Sequence, residues 1–334
     1  MAVSARRGQL IDGRFRIICL IATGGMSKVY KARDLKLGTT VAIKMLRQEY
    51  LHNVQHADAL RQEAAVMSRL QDRHVVSVYG EGEHDGVPYI VLEHVAGRTL
   101  RHVLNDAGSF NPRQALGITL QVLNGLSAAH RLGIVHRDIK PENILVGRGP
   151  QGACIKLIDF GIAQPTLRRR AGHTRRHSIL ATVAYLPPEL TLAGAFDARS
   201  DVYSTGILLY EMLTGEVPYD GPDSSQVAHM HTVHTVPDPR LLAPDLPEDV
   251  AALVMSATAR KPGHRFVDAD DFACAALDSW RHERSRSQRP QRATASPAPS
   301  HGRAGHLVAL FALIWMFLKG LFVKVAPARG SAKS

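Results

Sequence analysis

The spacing of three oxygen-bearing side chains constrains this chain more than any other feature. Residues 136–145 read HRDIKPENIL, and residues 158–161 read IDFG. Asp138 is followed by Asn143 five residues later and by Asp159 a further sixteen residues along. The pattern places all three side chains within two loops, and carboxylate and amide oxygens are the ligands that hard divalent cations prefer. The spacing therefore predicts three oxygen-bearing side chains on two loops.

A glycine-containing hairpin and a lysine precede this pattern. Residues 21–30 read IATGGMSKVY between two strand-like runs, where backbone N–H groups can approach phosphates. Residues 41–44 read VAIK, so Lys44 ends an apolar strand. Glu63, on an amphipathic helix predicted over Asp58–Leu70, is placed to hold that lysine by an ion pair. Taken singly, a glycine hairpin or a strand-end lysine also suits a purely structural role.

Hydrophobic periodicity divides the folded part of the chain in two. Short apolar and β-branched runs alternate with Gly and polar turns over Arg16–Leu92, which predicts a strand-rich unit with one helix. After Gly97 the apolar residues recur at helical spacing, as over Pro112–His130 and Val202–Leu213. The hydrophobic fraction of 45% and the charged fraction of 21% are those of a folded chain. The sequence therefore predicts an α+β fold with a small strand-rich lobe and a larger helical lobe.

The formal net charge of +11 is concentrated near one end of the chain. Residues 281–334 hold ten Lys and Arg against one acidic residue, whereas the first 280 residues carry a net charge of only +2. Residues 281–305 are rich in Arg, Ser, Pro and Gln, the composition of a solvated linker. A basic segment beside an apolar run more often meets anionic lipid than DNA, and this one lacks the interleaved aromatics that stack on bases. Nucleic acid is not expected to be a partner.

The apolar run near the C-terminus has an awkward length. Leu307–Leu318 is twelve residues without a polar side chain, after which Lys319 interrupts an apolar continuation. A membrane span needs about 20 residues, a length that residues 306–326 reach if the lysine snorkels toward the headgroups. Trp315 and Phe317 would be the interfacial anchors. We expect a transmembrane helix, with an in-plane helix or packing in a soluble domain as the alternatives.

In their order and context these segments resemble the signature of the eukaryotic-like (Hanks-type) serine/threonine protein kinases, of the bacterial membrane-anchored type. Ala181–Glu189, ATVAYLPPE, resembles the end of an activation segment, and Asp201–Ser204 with Gly206 resembles the helix that follows it. Arg265 is similar to the late arginine that pairs with Glu189. The resemblance covers about residues 15–278 and implies the bilobal protein-kinase fold. The implied parts are an N-terminal extension (1–14), a kinase domain (15–278, with N-lobe 15–95 and C-lobe 96–278), a basic linker (279–305), a transmembrane helix (306–326) and a short tail (327–334).

The resemblance implies an enzyme that moves the γ-phosphoryl group of ATP to serine or threonine hydroxyls of a protein substrate. It implies that Asp138 accepts or orients the proton of the acceptor hydroxyl and that Lys140 contacts the transferring phosphate. A lysine two residues after the catalytic aspartate looks like the serine/threonine branch rather than the tyrosine branch. Lys44 and Glu63 complete the implied catalytic set.

The same resemblance implies how the nucleotide is held. Asn143 and Asp159 are the implied ligands of Mg²⁺ or Mn²⁺. The adenine would lie between apolar side chains, with the backbone of residues 93–95 bonding its edge and Leu92 at the gatekeeper position. The residues assigned to nucleotide binding are Ile21, Ala22, Thr23, Gly24, Gly25, Met26, Ser27, Lys28, Val29, Ala42, Lys44, Glu93, Val95 and Leu145.

The chain departs from the family pattern at the glycine hairpin. Ala22 and Ser27 stand where the family usually has its first and third glycines, and Ala and Ser restrict backbone angles that glycine allows. Ala181 and Pro187 are further departures, near the activation segment. A lowered affinity for ATP is therefore expected. The altered hairpin also motivates an alternative, a pseudokinase scaffold that binds nucleotide or partners without catalysis.

Residues 166–179 carry five arginines beside Thr174 and Ser178. Autophosphorylation of either residue would let the added phosphate pair with Arg137 and the neighbouring arginines, which would order the segment. Self-association would bring a second copy to the site. Alternatively, the arginines are simply solvated.

Compartment follows from two weaker observations. Residues 1–15 contain no apolar segment of the kind found in secretory signals, and the three cysteines show no paired spacing. We therefore expect a kinase domain in the cytoplasm, anchored to the inner membrane by a single C-terminal span with the basic linker on the cytoplasmic side. The cysteines are Cys19, Cys154 and Cys274.

Overall fold

The computed structural model describes residues 5–149, 152–161, 183–192 and 196–288. Within them the strands are β1 (Leu10–Ile11), β2 (Phe15–Thr23), β3 (Ser27–Asp34), β4 (Thr40–Leu46), β5 (Val78–His84), β6 (Val87–Glu93), β7 (Gly97–Thr99), β8 (Ile144–Gly149) and β9 (Gly152–Leu157). The helices are α1 (Val54–Met67), α2 (Leu100–Ala107), α3 (Pro112–His130), α4 (Pro188–Leu192), α5 (Ala198–Thr214), α6 (Ser224–Val233), α7 (Glu248–Ala257) and α8 (Ala269–Gln288).

The N-lobe is one antiparallel sheet with helix α1 packed against it. Its strand order is β1-β2-β3-β4-β6-β5, so β4 and β6 each have a neighbour on both sides, and Ile43 and Ile90 on them are fully buried. Helix α1 buries Leu60, Ala64 and Met67, the apolar stripe that the sequence predicted. Most buried residues of the lobe, including Leu60 and Ala64, form a core of their own, whereas Met67 packs in the core of the C-lobe.

Helix α1 differs from its predicted range, Asp58–Leu70, at both ends. It begins at Val54 because the Asn53 side chain accepts a hydrogen bond from the N–H of Gln55 (3.0 Å), which caps the first turn. It ends at Met67. The apolar stripe located the helix, and a polar cap outside the stripe set where it begins.

The C-lobe is built around helix α5, which is buried on all sides. Gly206 lets this helix approach α7, because a Cβ atom at that position would lie 2.8 Å from side-chain atoms of Ala257 and Thr258. Helix α3 spans the predicted range Pro112–His130, since Asn111 and Gln114 form a reciprocal capping box at its start. The small sheet β7-β8-β9 lies at the junction with the N-lobe. The predicted α+β bilobal fold is confirmed.

Two elements of the structure extend past the predicted ends of the kinase domain. Strand β1 lies within the predicted extension 1–14, where it pairs with β2 and buries Ile11. Helix α8 continues through the first ten residues of the predicted linker 279–305. The guanidinium groups of Arg113 and Arg284 lie 5.8 and 5.9 Å from the centroid of the Trp280 ring. Arginine and glutamine also favour helix.

Several predictions made from the sequence fall outside the described residues. They concern the activation segment with Thr174 and Ser178, the transmembrane helix over 306–326 and the tail over 327–334. In the part of the chain that the structure describes, no helix combines the length and apolar character needed to cross a membrane.

A buried histidine of the C-lobe makes stability depend on pH. His231 on α6 is 1% exposed, its Nδ1 atom lies 2.7 Å from the Tyr203 hydroxyl, and Tyr219 packs edge-on against its ring. Burial lowers the pKa of His231 to about 4. In the unfolded chain the pKa of a histidine is about 6.5. Between these two pKa values only the unfolded state therefore binds a proton at this residue. The contribution to stability is therefore complete above the upper value and is lost as the pH falls through the lower one.

We expect this histidine to account for about 3 kcal/mol of the stability lost on acidification. The measurement is the free energy of unfolding across that pH range for the wild type and for His231→Gln, whose curve should be flatter. The matched control is His229→Gln, at an exposed position of the same helix, which should follow the wild type. Parallel curves for the wild type and His231→Gln would contradict the expectation.

Candidate active site

A buried lysine joins the two lobes. The Lys44 ammonium on β4 donates to both carboxylate oxygens of Glu63 on α1, at 2.7 and 2.9 Å. It also donates to Asp159, from the loop after β9, at 2.8 Å. Lys44 and Glu63 are each 7% exposed. The ion pair expected between them is present, and the structure adds a carboxylate from the other lobe.

Electrostatics favour the charged forms of Lys44 and Asp159, whereas burial raises the pKa of Glu63. Burial would lower the pKa of Lys44, but the carboxylates of Asp159 and Glu63 outweigh that effect and raise the pKa above its ordinary value. Burial would likewise raise the pKa of Asp159, but the adjacent ammonium holds it below the usual range. A cation and two carboxylates thus lie together where the lobes meet, in a setting suited to charged phosphates.

Asp138 is held by two neighbours from its own loop. The Lys140 ammonium donates to both of its carboxylate oxygens, at 2.9 and 2.8 Å. The Asn143 side-chain N–H donates to Oδ2 and to the backbone oxygen of Asp138, both at 2.8 Å. Asp138 and Asn143 are 8% and 6% exposed. The carboxylate therefore has a defined orientation beside a cation.

A buried carboxylate of helix α5 holds the backbone of this loop. Asp201 accepts hydrogen bonds from the N–H groups of His136 (2.8 Å) and Arg137 (2.9 Å), and it lies 2.8 Å from His130 Nε2. Arg137 takes a positive φ of 70°, an uncommon conformation that these bonds stabilise. The sequence located Asp201 only as part of a helix motif and did not reveal this contact.

The loops that carry Asp138 and Asp159 are also joined directly. The His136 ring packs on the Phe160 ring with centroids 4.4 Å apart, and the N–H of Gly161 donates to the His136 carbonyl at 2.8 Å. The N–H of Ile158 donates to the Asn143 carbonyl at 3.0 Å. These contacts bring the three oxygen-bearing side chains of the sequence pattern to neighbouring loops.

The residues predicted to bind nucleotide lie on both sides of the junction. The hairpin between β2 and β3 is closed by a hydrogen bond from Gly24 N–H to the Ser27 carbonyl (2.8 Å). Val29, Val95 and Leu145 pack against the N-lobe core, so the last of these brings a C-lobe side chain to the N-lobe. The predicted nucleotide-binding residues thus include apolar side chains from both lobes. The remaining predicted residues are on β2 (Ile21, Ala22 and Thr23), in the turn (Gly25 and Met26), on β3 (Lys28) and on β4 (Ala42).

Glu93 was predicted to bind the adenine edge through its backbone, and in the structure both its N–H and its side chain make hydrogen bonds within the protein. Its N–H donates to the Ser77 carbonyl at 2.9 Å. Its carboxylate accepts from Lys156 at 2.7 Å and from the Ser77 N–H at 3.2 Å. The N–H and the side chain thus both anchor the end of this strand.

The donor set fits a nucleotide with a divalent cation. No cluster of three His, Cys, Asp or Glu side chains suited to a metal occurs within the described ranges. Mg²⁺ bound with nucleotides usually takes only one or two protein carboxylates and completes its shell with phosphates and water. One carboxylate and one amide, Asp159 and Asn143, match that need, and Lys44 supplies a cation for the phosphates.

A second buried charge network was not anticipated from the sequence. The Arg101 guanidinium on α2 donates to Glu142 (2.7 Å), to Glu211 on α5 (2.6 Å) and to the Tyr185 hydroxyl (2.6 Å). Tyr185 in turn donates to Glu211. Burial, together with the Glu211 charge, raises the pKa of the tyrosine well above its usual value. The network ties the turn after Asp138 to the C-lobe core.

A β-rich lobe and a helical lobe that meet at a Lys–Glu–Asp cluster, with an Asp–Lys–Asn set beside it, define the protein kinase class of fold. A model of the protein kinase domain matches residues 15–273. The serine/threonine-protein kinase PrkC of Bacillus subtilis is 39% identical over 265 residues, covering 79% of this chain and 40% of PrkC. PknL of Mycobacterium tuberculosis, also a serine/threonine-protein kinase, is 39% identical over 260 residues, covering 78% of this chain and 64% of PknL. The chain belongs to the Hanks-type serine/threonine protein kinase family.

Structural similarity agrees with the family assignment at the level of the fold. The crystal structure of a double mutant of the PknI kinase domain from Mycobacterium tuberculosis matches with a TM-score of 0.66 at 23% identity. The match covers 83% of this chain and all of that one. The chain spans less than two thirds of the length of PrkC and of PknL.

Proposed function

We propose that this chain is an active serine/threonine protein kinase that transfers the γ-phosphoryl group of ATP to protein hydroxyls. The observation that carries the proposal is the Lys44 ammonium bonded at once to Glu63 and Asp159. The ion pair costs desolvation energy on burial and is weak support for stability alone, so a functional role accounts for it better. The pseudokinase alternative is disfavoured because every residue of this constellation is present and in contact.

The chain's own residues divide the work of transfer. Asp138 takes the proton of the acceptor hydroxyl. As it does so, the hydroxyl oxygen bonds to the γ-phosphorus and the bond from that phosphorus to the leaving ADP oxygen breaks. Lys140, already bonded to Asp138, neutralises charge on the transferring phosphoryl group. Lys44, held by Glu63, contacts the α- and β-phosphates. ATP supplies the phosphoryl group, and Mg²⁺ or Mn²⁺ held by Asn143 and Asp159 supplies positive charge.

Transfer of label from γ-labelled ATP tests the proposal. Wild-type protein is expected to label itself or a generic basic protein, and hydrolysis of the product should yield phosphoserine or phosphothreonine. Lys44→Met should abolish labelling, whereas Lys36→Met, at an exposed position of the same lobe, should not. If nucleotide raises the melting temperature of the wild type but no label is transferred, the pseudokinase alternative holds.

We further propose regulation and anchoring from the sequence. The five arginines of residues 166–179 favour autophosphorylation at Thr174 or Ser178, and self-association of two copies would allow it. The basic linker and the apolar residues 306–326 favour a kinase domain on the cytoplasmic face of the inner membrane. The partners are then a protein substrate with a serine or threonine acceptor and the lipid surface.

A further inference from the structure

One arginine binds three consecutive carbonyl groups at the tip of the glycine hairpin. The Arg47 Nη1 atom donates to the carbonyl oxygens of Gly24 (3.2 Å) and Gly25 (3.0 Å). The backbone N–H of Arg47 donates to the next carbonyl, that of Met26, at 2.9 Å. The guanidinium itself is held by an ion pair with Glu49. The hairpin tip is therefore fixed to the end of β4.

Three carbonyls that converge on one residue orient the N–H groups that follow them. In a trans peptide the C=O of one residue and the N–H of the next point in opposite directions. Because the carbonyls of Gly24 and Gly25 point to Arg47, the N–H groups of Gly25 and Met26 point away from it. Successive N–H groups on one side of a turn form a concave site for anions.

The strand geometry tells which way those N–H groups face. Side chains alternate between the two faces of a strand, so residues three apart lie on opposite faces. Arg47 follows β4 directly and keeps extended backbone angles (φ −76°, ψ 141°), and it stands three residues after Lys44. The arginine side chain thus draws the carbonyls of Gly24 and Gly25 to the face opposite Lys44, whereas the backbone bond to Met26 continues the β3–β4 ladder. The N–H groups turn toward the face on which Lys44 meets Asp159.

We propose that Arg47 is a positioning residue that holds the hairpin with its N–H groups directed at the phosphates of ATP. The inference rests on the proposed function of the site. It also explains how the hairpin can work with Ala22 and Ser27 in place of glycines. Glycine loops owe their shape to backbone freedom, whereas here a side chain imposes the shape from outside.

Nucleotide affinity, measured on the full chain, tests the proposal independently of catalysis. Dissociation constants for ATP with Mg²⁺ and for adenosine are compared between the wild type and Arg47→Met. We expect the variant to bind ATP about tenfold more weakly, equivalent to about 1.4 kcal/mol, and to bind adenosine as the wild type does. The KM for ATP should rise in proportion, with a smaller change in kcat. Arg33→Met, an exposed arginine of the same sheet, is the matched control and should change neither constant.

A second variant separates position from charge. Arg47→Lys keeps the charge but lacks the planar fork, in which Nη1 binds the two carbonyls while Nη2 binds Glu49. It should therefore recover only part of the ATP affinity. Wild-type affinity in Arg47→Lys, or an equal loss for ATP and adenosine in Arg47→Met, would overturn the proposal. Wild-type ATP affinity in Arg47→Met would overturn it as well, and the proposed function would stand if label is still transferred. Conversely, a wild type that binds ATP without transferring label would refute the proposed function and leave the affinity comparison valid.

Discussion

The Asp138→Asn variant is expected to transfer phosphate with a kcat about 10³-fold below that of the wild type, the range typical of a lost general base. Asparagine has nearly the same shape but cannot take the proton of the acceptor hydroxyl. Because one amide oxygen remains to accept from Lys140 or Asn143, the loop should keep its fold. Affinity for ATP and the melting temperature should therefore stay near those of the wild type. The measurements are steady-state transfer rates, nucleotide binding and thermal unfolding.

The matched control for this variant is Asp106→Asn, at an exposed ion pair with Arg98 on the surface of the C-lobe. It removes the same charge and should leave kcat unchanged. If Asp138→Asn kept more than about a tenth of the wild-type kcat, the loss would be smaller than the smallest effect typical of a general base. The role assigned to the carboxylate would then be wrong.

The Arg265→Met variant is expected to lower the free energy of unfolding by about 3–5 kcal/mol, as removal of one partner from a buried ion pair typically does. The Arg265 side chain is fully buried and donates to both carboxylate oxygens of Glu189 at 2.8 Å. It also donates to backbone carbonyls, including that of Ala259 at 2.7 Å. Methionine fills similar space but leaves these acceptors without their donor. The melting temperature should fall by roughly 10 °C.

The fate of Glu189 gives this prediction a second readout. Burial alone would raise the pKa of Glu189, but hydrogen bonds from Arg265 outweigh it and hold the pKa below its ordinary value. Replacing both residues by methionine should therefore be less destabilising than the sum of the single changes, by about 2 kcal/mol. Arg240→Met, which breaks a more exposed pair with Asp238, should lower stability by less than about 1 kcal/mol. Equal effects of Arg265→Met and Arg240→Met would contradict the expectation.

Local patterns predicted much of the candidate site. Glu63 interrupts the apolar stripe of a helix, between Leu60 and Ala64, which marks a carboxylate turned inward and needing a cation. The segments around Asp138 and Asp159 have a spacing that few other sites share. For these residues the spacing along the chain and the helical period are enough to indicate a site, so a structure was not needed to select them.

Contacts between distant segments could not be predicted in this way. Asp159 lies 115 residues from Lys44 along the chain, and its motif alone pointed to a metal. Arg47 and Arg101 look like ordinary surface arginines in the sequence. They become important because carbonyls and carboxylates from other segments surround them. The start of α1 was missed for a different reason, since the cap at Asn53 is a local signal that lies outside the apolar stripe.

The change from strand-like to helical patterns and the division into two lobes follow from periodicity along the chain. These features depend on neighbours within a few residues, so a linear pattern contains them. The roles assigned to the loops around Asp138 and Asp159 rest on their resemblance to the protein kinase family. Three features emerged only from the folded chain. They are the charged cluster at Lys44, the orientation of the glycine hairpin by Arg47 and the buried pairing of Arg265. Each depends on how strongly water is excluded and on which charges approach from elsewhere, and both are set by packing between segments that the sequence keeps far apart.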